Sequence, residues 1–344
     1  MMQRAFATAT AIALIFSATA LAQTPEEFYR GKTLTIQVGY GVGGGYDTTA
    51  RIVARHLGKH IPGNPTVVVS NMPGSGSLNV VNYLFNAAPR DGLTLGVFAS
   101  LLMLEPLRGN ANVKADPARF NWIGSMHSDV NACALWRGAG QNITSFDELL
   151  KAKKTVVFGS TSPEAETGVY PVFFKKYFKA PVQVINGYKG TNEINLAMQT
   201  GEAQASCGMY ESTVRGTYMN YFNSNDMKII FQAGLDRKVP LFGDATSAGD
   251  LMKSDEERQL GELIFRPSEI TRPLAAPPGV PADRVLALRK ALADTMRDPE
   301  TLADGKRIGV DFIPLTGERI QELMANFYKT PAHVVKRAAE LTRE

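Results

Sequence analysis

The feature that most constrains this chain is a strand that runs unbroken into a string of glycines and then into a helix. Lys32 to Val38 alternates polar and apolar residues, the pattern of a half-buried strand. It leads into Gly39-Tyr40-Gly41-Val42-Gly43-Gly44-Gly45-Tyr46-Asp47. Ile52, Val53, Leu57 and Ile61 then recur at near-helical spacing until Pro62-Gly63 stops them, and Asp47 reads as the helix N-cap. The unit repeats. Thr66 to Val69 is a β-branched strand, Asn71 to Ser77 a second small-residue loop, and Val80, Val81, Leu84 and Phe85 the next helical stripe. After the turn Pro89-Arg90-Asp91-Gly92 comes a third strand, Leu93 to Ala99. Strands alternating with helices predict an α/β fold with a mostly parallel sheet flanked by helices.

Asn131 to Trp136 opens a second copy of this architecture. It continues through a helix near Ser145 to Ala152, a strand Thr155 to Gly159, the loop Ser160 to Thr167, a helix, the strand Val182 to Tyr188 and a helix from Thr191. Ala203 to Met209 and Met227 to Ala233 read as its last strands, and Arg272 to Pro281 as a connection. Two final helices, one with Val285, Leu288, Leu292 and Met296, the other with Ile320, Leu323, Met324 and Phe327, each present one apolar face. They are expected to return to the first half. The expected division is therefore a discontinuous first domain, 23–125 with 233–344, and a second domain, 126–232.

Residues 1–22 read as a secretory signal peptide: Arg4, then an uncharged apolar stretch from Ala5 closing on Ala20-Leu21-Ala22. Thr and Ser dilute that stretch, which argues against a membrane anchor. Cleavage after Ala22 would remove Arg4, changing the formal charge from +4 to +3, with no basic block to suggest nucleic acid. Export places Cys133 and Cys207 where a disulfide persists, although two buried thiols in apolar strands fit the sequence equally. Neither cysteine has zinc-type neighbours, and His56, His60, His127 and His333 have no metal spacing, so no metal or other cofactor is expected.

A loop between a strand and a helix start exposes backbone N–H groups without intrahelical partners, and the helix dipole adds about half a positive charge there. Glycine lets a ligand oxygen approach that backbone closely. Two such loops at successive junctions lie together at the carboxyl edge of one sheet, where α/β sheets bind ligands. Gly39, Gly41 and Gly44 also satisfy G-x-G-x-x-G, but Asn71 stands where a dinucleotide site needs an acid. No G-x-S-x-G or H-E-x-x-H occurs, and no motif places a histidine to activate Ser75 or Ser77. The chain reads as a binder, not an enzyme.

In these residues the chain resembles the extracytoplasmic receptors of tripartite tricarboxylate transporters, the Bug family. Tyr40, Gly43, Gly44 and Asp47 fall in register with its first loop, P-F-x-P-G-G-x-x-D. Asn71, Pro73, Gly74 and Gly76 match its second, N-R-P-G-A-G-G. Pro89, Asp91, Gly92, Thr94 and Leu95, then Tyr188-Lys189-Gly190, Gly201-Glu202 and Leu274 to Pro281, extend the similarity over nearly the whole chain. The resemblance implies a two-domain, type II periplasmic-binding-protein fold of the Venus flytrap kind. It implies a monomer, exported to the periplasm, that delivers a small carboxylate to membrane transport subunits. A sensor subunit of a two-component system is the alternative, and a secreted hydrolase a more distant one. Expected ligand-binding residues are Tyr40, Gly43, Gly44, Asp47, Ser75, Gly76 and Ser77 from the first domain, and Ser160, Thr161, Tyr188 and Tyr210 from the second. The loop Ser160 to Thr167 departs from the family by carrying Glu164 and Glu166, either of which, facing the cleft, would repel a second carboxylate. Tyr46 adds a further aromatic side chain beside Tyr40, Tyr188 and Tyr210.

Overall fold

The computed structural model describes residues 23–139, 142–310 and 312–343, so the expected export segment, 1–22, lies outside the described residues. Among the described residues no helix is long and apolar enough to cross a membrane. The described residues form twelve strands: β1 Thr33–Val38, β2 Thr66–Asn71, β3 Thr94–Val97, β4 Asn121–His127, β5 Asn131–Trp136 and β6 Val156–Ser160. The remainder are β7 Val182–Asn186, β8 Ala205–Tyr210, β9 Met227–Gln232, β10 Thr246–Ser247, β11 Thr271–Ala276 and β12 Leu315–Thr316. They build two six-stranded sheets, ordered β12-β4-β11-β3-β1-β2 and β10-β9-β5-β8-β6-β7.

The expected mostly parallel sheets are in fact mixed. In the first sheet β1 is parallel to β2 and β3, but β11 is antiparallel to β3 and β4, and β12 to β4. In the second, β6 is parallel to β7 and β8 and β10 to β9, but β5 is antiparallel to β8 and β9. The reason is the way the chain passes between sheets. Parallel neighbours in one sheet need a long crossover, whereas β4 leads through Ser128, Asp129 and Val130 straight into β5 of the other sheet. The buried Asp129 carboxylate fixes this passage by accepting the N–H groups of Val130, Glu211 and Ser212.

The return passage comes later than the expected boundary at 232/233. β10 still pairs with β9, and Phe265 packs against Tyr170, Phe173 and Phe231. The chain rejoins the first sheet only at β11, in the segment expected to be a mere connection. All six β11 residues are buried between β3 and β4. Pro273 lacks the N–H a central strand uses, and the strand accommodates it with a register shift at Leu274/Ala275.

Helices Ala282–Thr295 and Gly317–Phe327 pack on β4, and Pro299–Arg307 packs on Gly45–Leu57. A last helix that the sequence reading passed over, Ala332–Thr342, lies against helices Glu166–Tyr177 and Asp255–Ile264. Its buried Val334, Ala338 and Leu341 recur at intervals of four and three.

Cys133 and Cys207 form a disulfide across neighbouring β5 and β8, bridging a separation of 74 residues. Closing a loop of that length restricts the unfolded chain. We expect the double substitution Cys133→Ala/Cys207→Ala to lower stability by about 2–5 kcal/mol in urea titrations at neutral pH. An unchanged midpoint would contradict a structural role for the bridge.

Candidate ligand site

The glycine loop after β1 and the small-residue loop after β2 press directly together. A Cβ on Gly39 would lie 2.0 Å from Ser77 Cβ and 2.8 Å from its Cα, so only glycine fits. The Ser77 hydroxyl oxygen accepts the Ala99 N–H at 2.8 Å and is fully buried. Asp47 is not the N-cap. Gly44 caps helix Gly45–Leu57, without a side-chain bond, and Asp47 sits inside the first turn. Its carboxylate accepts the Gly43 N–H at 2.9 Å, Asn71 Nδ2 at 2.8 Å and Arg51 Nε at 3.0 Å. Burial pushes this carboxyl up, but the donors outweigh burial and hold it below the usual range. Asp47 thus ties the loop to β2, with its oxygens committed.

In the second domain, the Ser160 hydroxyl donates to the Ser162 carbonyl and Thr161 N–H to Thr167 Oγ1. The Tyr188 hydroxyl donates to Glu202 at 2.6 Å. Helix Thr191–Thr200 starts behind Gly190, again with no side-chain cap. The two sets of loops meet face to face: Gly41 N–H donates to the Lys189 carbonyl at 2.9 Å, and Gly76 lies against Ser162 and Ala165.

Between them is a cavity lined by Tyr40, Gly44, Gly45, Tyr46, Thr161, Glu166, Thr167, Gly190, Thr191, Gly208 and Tyr210. Its free space is about 20 Å³, room for roughly one water and too little for an organic solute in this arrangement of the domains. Of the residues expected from sequence, Tyr40, Gly44, Thr161 and Tyr210 line it. Gly43, Asp47, Ser75, Gly76, Ser77, Ser160 and Tyr188 do not. Ser75 is exposed, and Ser77, Ser160 and Tyr188 spend their hydroxyls on the bonds above. Sequence reasoning missed Gly45, Thr167, Gly190, Thr191 and Gly208. The uncapped strand-to-helix junction at Gly190-Thr191 was a signal available for two of them.

Three tyrosines form the wall. The Tyr40 and Tyr46 rings are 4.5 Å apart, and Tyr210 stands edge-on to Tyr46 at 6.4 Å. The buried Tyr46 hydroxyl has no well-formed hydrogen bond. Behind Tyr46 and Tyr210 lies Arg272, fully buried on β11, its guanidinium carbon 5.9 and 5.7 Å from the two ring centres. It donates to the Ser212 and Thr213 hydroxyls, and among the described residues no carboxylate lies within ion-pair distance. Its φ of 56° is left-handed, a conformation costing a non-glycine residue about 1–2 kcal/mol. Arg272 braces the aromatic wall from the strand that carries the chain back between domains.

Glu166, the first residue of helix Glu166–Tyr177, is 3% exposed. Burial pushes its carboxyl above the ordinary range, opposed by its own N–H, the Tyr210 hydroxyl, the Leu101 N–H and the Ser100 hydroxyl. The two hydroxyls donate at 3.4 Å each. Among the described residues it is the one acid lining the cavity.

A larger depression of about 520 Å³ lies away from the loops, lined by Ser128, Arg266, Arg319 and Phe327 among others. Its Arg266 is already paired with Asp236, Glu262 and Glu269. Among the described residues its other lining cation, Arg319, is paired with Glu322, and the one uncapped helix start at its rim is that of Ala332–Thr342 behind Pro331, whereas two glycine-capped starts from opposite domains meet at the smaller cavity, which is the better ligand site despite its size.

No family model matches the chain, and no curated protein matches it. Solved structures do. Periplasmic binding protein BugD superposes with a TM-score of 0.71 at 17% identity, covering 90% of this chain and 98% of that one. MatC from Rhodopseudomonas palustris with bound malate gives 0.65 at 15%, covering 91% and 99%. An R. palustris protein with adipate gives 0.68 at 15%, covering 90% and 98%. The fold is theirs. The chain has the two-domain architecture of Bug and TctC-type periplasmic binding proteins, with the Glu166 loop and the three-tyrosine wall set at the edges where its two sheets face each other.

A carboxyl whose folded pKa is raised contributes stability fully present below its unfolded pKa and lost as pH rises through the folded one. The stability of the native protein minus that of Glu166→Gln should therefore fall as pH rises above the ordinary 4.5. Paired urea titrations across pH check this. A difference independent of pH would mean that Glu166 is not buried as described.

Proposed function

We propose that the protein is a periplasmic solute-binding protein that captures a small organic carboxylate for a tripartite tricarboxylate-type transporter. The observation that carries this reading is the meeting of two uncapped helix starts, Gly44-Gly45-Tyr46 from one domain and Gly190-Thr191 from the other, at a single interdomain cavity. N–H groups and dipoles at helix starts suit an anion. They supply it without a cationic side chain in the cavity lining. Tyr40, Tyr210 and Thr161 are assigned to contact the rest of the solute, and Asp47, Ser77 and Ser160 to hold the loops in place.

Capture follows from domain motion. The domains are joined by the short passage 128–130 and by the return into β11, and a ligand that touches both loop sets favours the closed form by its differential affinity for it. Binding without turnover fits a lining in which the threonine hydroxyls bond within the protein and no histidine takes part. The malate and adipate found in two structural neighbours are small carboxylates, and the sequence of residues 1–22 supports export.

The test is a thermal-shift screen of the mature protein against organic acids. A ligand at about 100 times its Kd stabilises the folded state by about 2.7 kcal/mol. We expect at least one carboxylate to raise the melting temperature while remaining chemically intact. Consumption of the hit would contradict a pure binder, and a response confined to non-acidic solutes would contradict the anion-binding loops.

A further inference from the structure

The cavity is approached by three helix starts, and one of them is already occupied by the protein itself. Helices Gly45–Leu57 and Thr191–Thr200 begin there with glycine N-caps and no side-chain bond. Helix Glu166–Tyr177 also begins there, behind Ala165, which provides no cap. In this third case the side chain of the first helical residue folds back over the helix start. Glu166 Oε1 receives the Ser100 and Tyr210 hydroxyls, and its carboxylate also receives its own N–H and the Leu101 N–H. Ser100 and Leu101 begin the short 3-10 turn that follows β3, so they belong to the first domain, whereas Glu166 and Tyr210 belong to the second. A carboxylate is thus placed between the domains under two hydroxyls at 3.4 Å, with its own N–H and the Leu101 N–H close enough to stabilise its charge, a set of donors that a ligand carboxylate could also use.

We propose that Glu166 is a built-in acid that fills the second carboxylate position of the cleft and makes the protein a receptor for monocarboxylates with an uncharged remainder. This inference rests on the carboxylate-receptor reading given above. The exclusion is steric and chemical together. The donors are taken, the Glu166 side chain fills the space, and two carboxylates side by side in a buried site would repel each other. The remaining anion position, at Gly44-Gly45-Tyr46 and Gly190-Thr191, holds one carboxylate. Beside it stand the Tyr40, Tyr46 and Tyr210 rings, with the buried Tyr46 hydroxyl next to that of Tyr210 and in no well-formed hydrogen bond. These suit a carbon chain or ring, with at most a hydrogen-bonding substituent facing Tyr46.

The test compares chain-matched acids by calorimetry and thermal shift: hexanoate with adipate, and benzoate with terephthalate. On the native protein, a monocarboxylate of these pairs should bind at least about tenfold (~1.4 kcal/mol) more tightly than its dicarboxylate partner. Glu166→Ser frees the helix start and the Ser100, Leu101 and Tyr210 donors. It should narrow that ratio to within about threefold or reverse it, the gain coming from tighter dicarboxylate binding. Glu166→Gln keeps the shape of the side chain and should still disfavour the dicarboxylate. Equal or tighter binding of a dicarboxylate by the native protein overturns the proposal and leaves the receptor reading intact. So does an unchanged ratio in a Glu166→Ser protein with native-like circular dichroism. No binding of any of the four acids by native protein or variant, alongside stabilisation by an amine or sugar, overturns both. The native-protein comparison stands without any variant.

Discussion

The first turn of an α-helix presents backbone N–H groups with no partner inside the helix, and burying such groups unpaired is costly. Three helix starts face one interdomain cavity in this protein, and much of the surrounding structure settles how their N–H groups are met. At Glu166 the helix's own carboxylate supplies the acceptor. At Gly45 and Thr191 no side chain does. The loops bring the backbone to the cavity in an open, glycine-lined form, the position proposed for an external anion. Placement of these starts follows from parallel pairing: β1 with β2 and β3, and β6 with β7 and β8, put the junctions that follow these strands at one shared edge of each sheet. The antiparallel β4, β5 and β11 then carry the chain between the sheets and set the two edges against each other.

Around that arrangement, polar side chains are spent on shape. Asp47, Asn71 and Arg51 tie the first loop to β2, Ser77 fixes the second loop to the chain after β3, and Asp129 anchors the passage between sheets. Arg272, held by Ser212 and Thr213 in a strained backbone conformation, buttresses two of the three tyrosines. These groups keep the wall rigid so that the energy of binding is not consumed in ordering it.

The sequence made the β1 and β2 units legible because a period-two strand, a glycine loop and a helical stripe occur there in immediate succession. The general architecture followed from their repetition. β11 was illegible because Thr-Arg-Pro-Leu-Ala-Ala carries a proline and an arginine that local rules assign to a loop, and only burial between β3 and β4 makes it a strand. β4, with Gly124 and Ser125 inside it and no alternation in its burial, was missed for a similar reason. At the candidate site, residue type pointed to loops that border the interdomain cavity but not to all of the residues that line it. Asp47, Ser77 and Ser160 look like ligand contacts in sequence, and tertiary structure commits them elsewhere. Arg272 is invisible in sequence because its role depends on two rings contributed by distant segments. Glu166 was recognisable as an acid at a helix start, while its contacts with Ser100 and Leu101 depend on the domains meeting.

The central claim is that a carboxylate is held between the two domains by helix starts. A crystal structure of the mature protein with a carboxylate that raises its melting temperature tests this most directly. The account predicts the carboxylate oxygens within hydrogen-bonding distance of the N–H groups of Gly44 to Tyr46 and of Gly190 to Thr191, with the remainder against Tyr40, Tyr46 and Tyr210. A carboxylate bound instead in the groove by Ser128, Arg319 and Phe327, with the interdomain cavity still closed on itself, would contradict it.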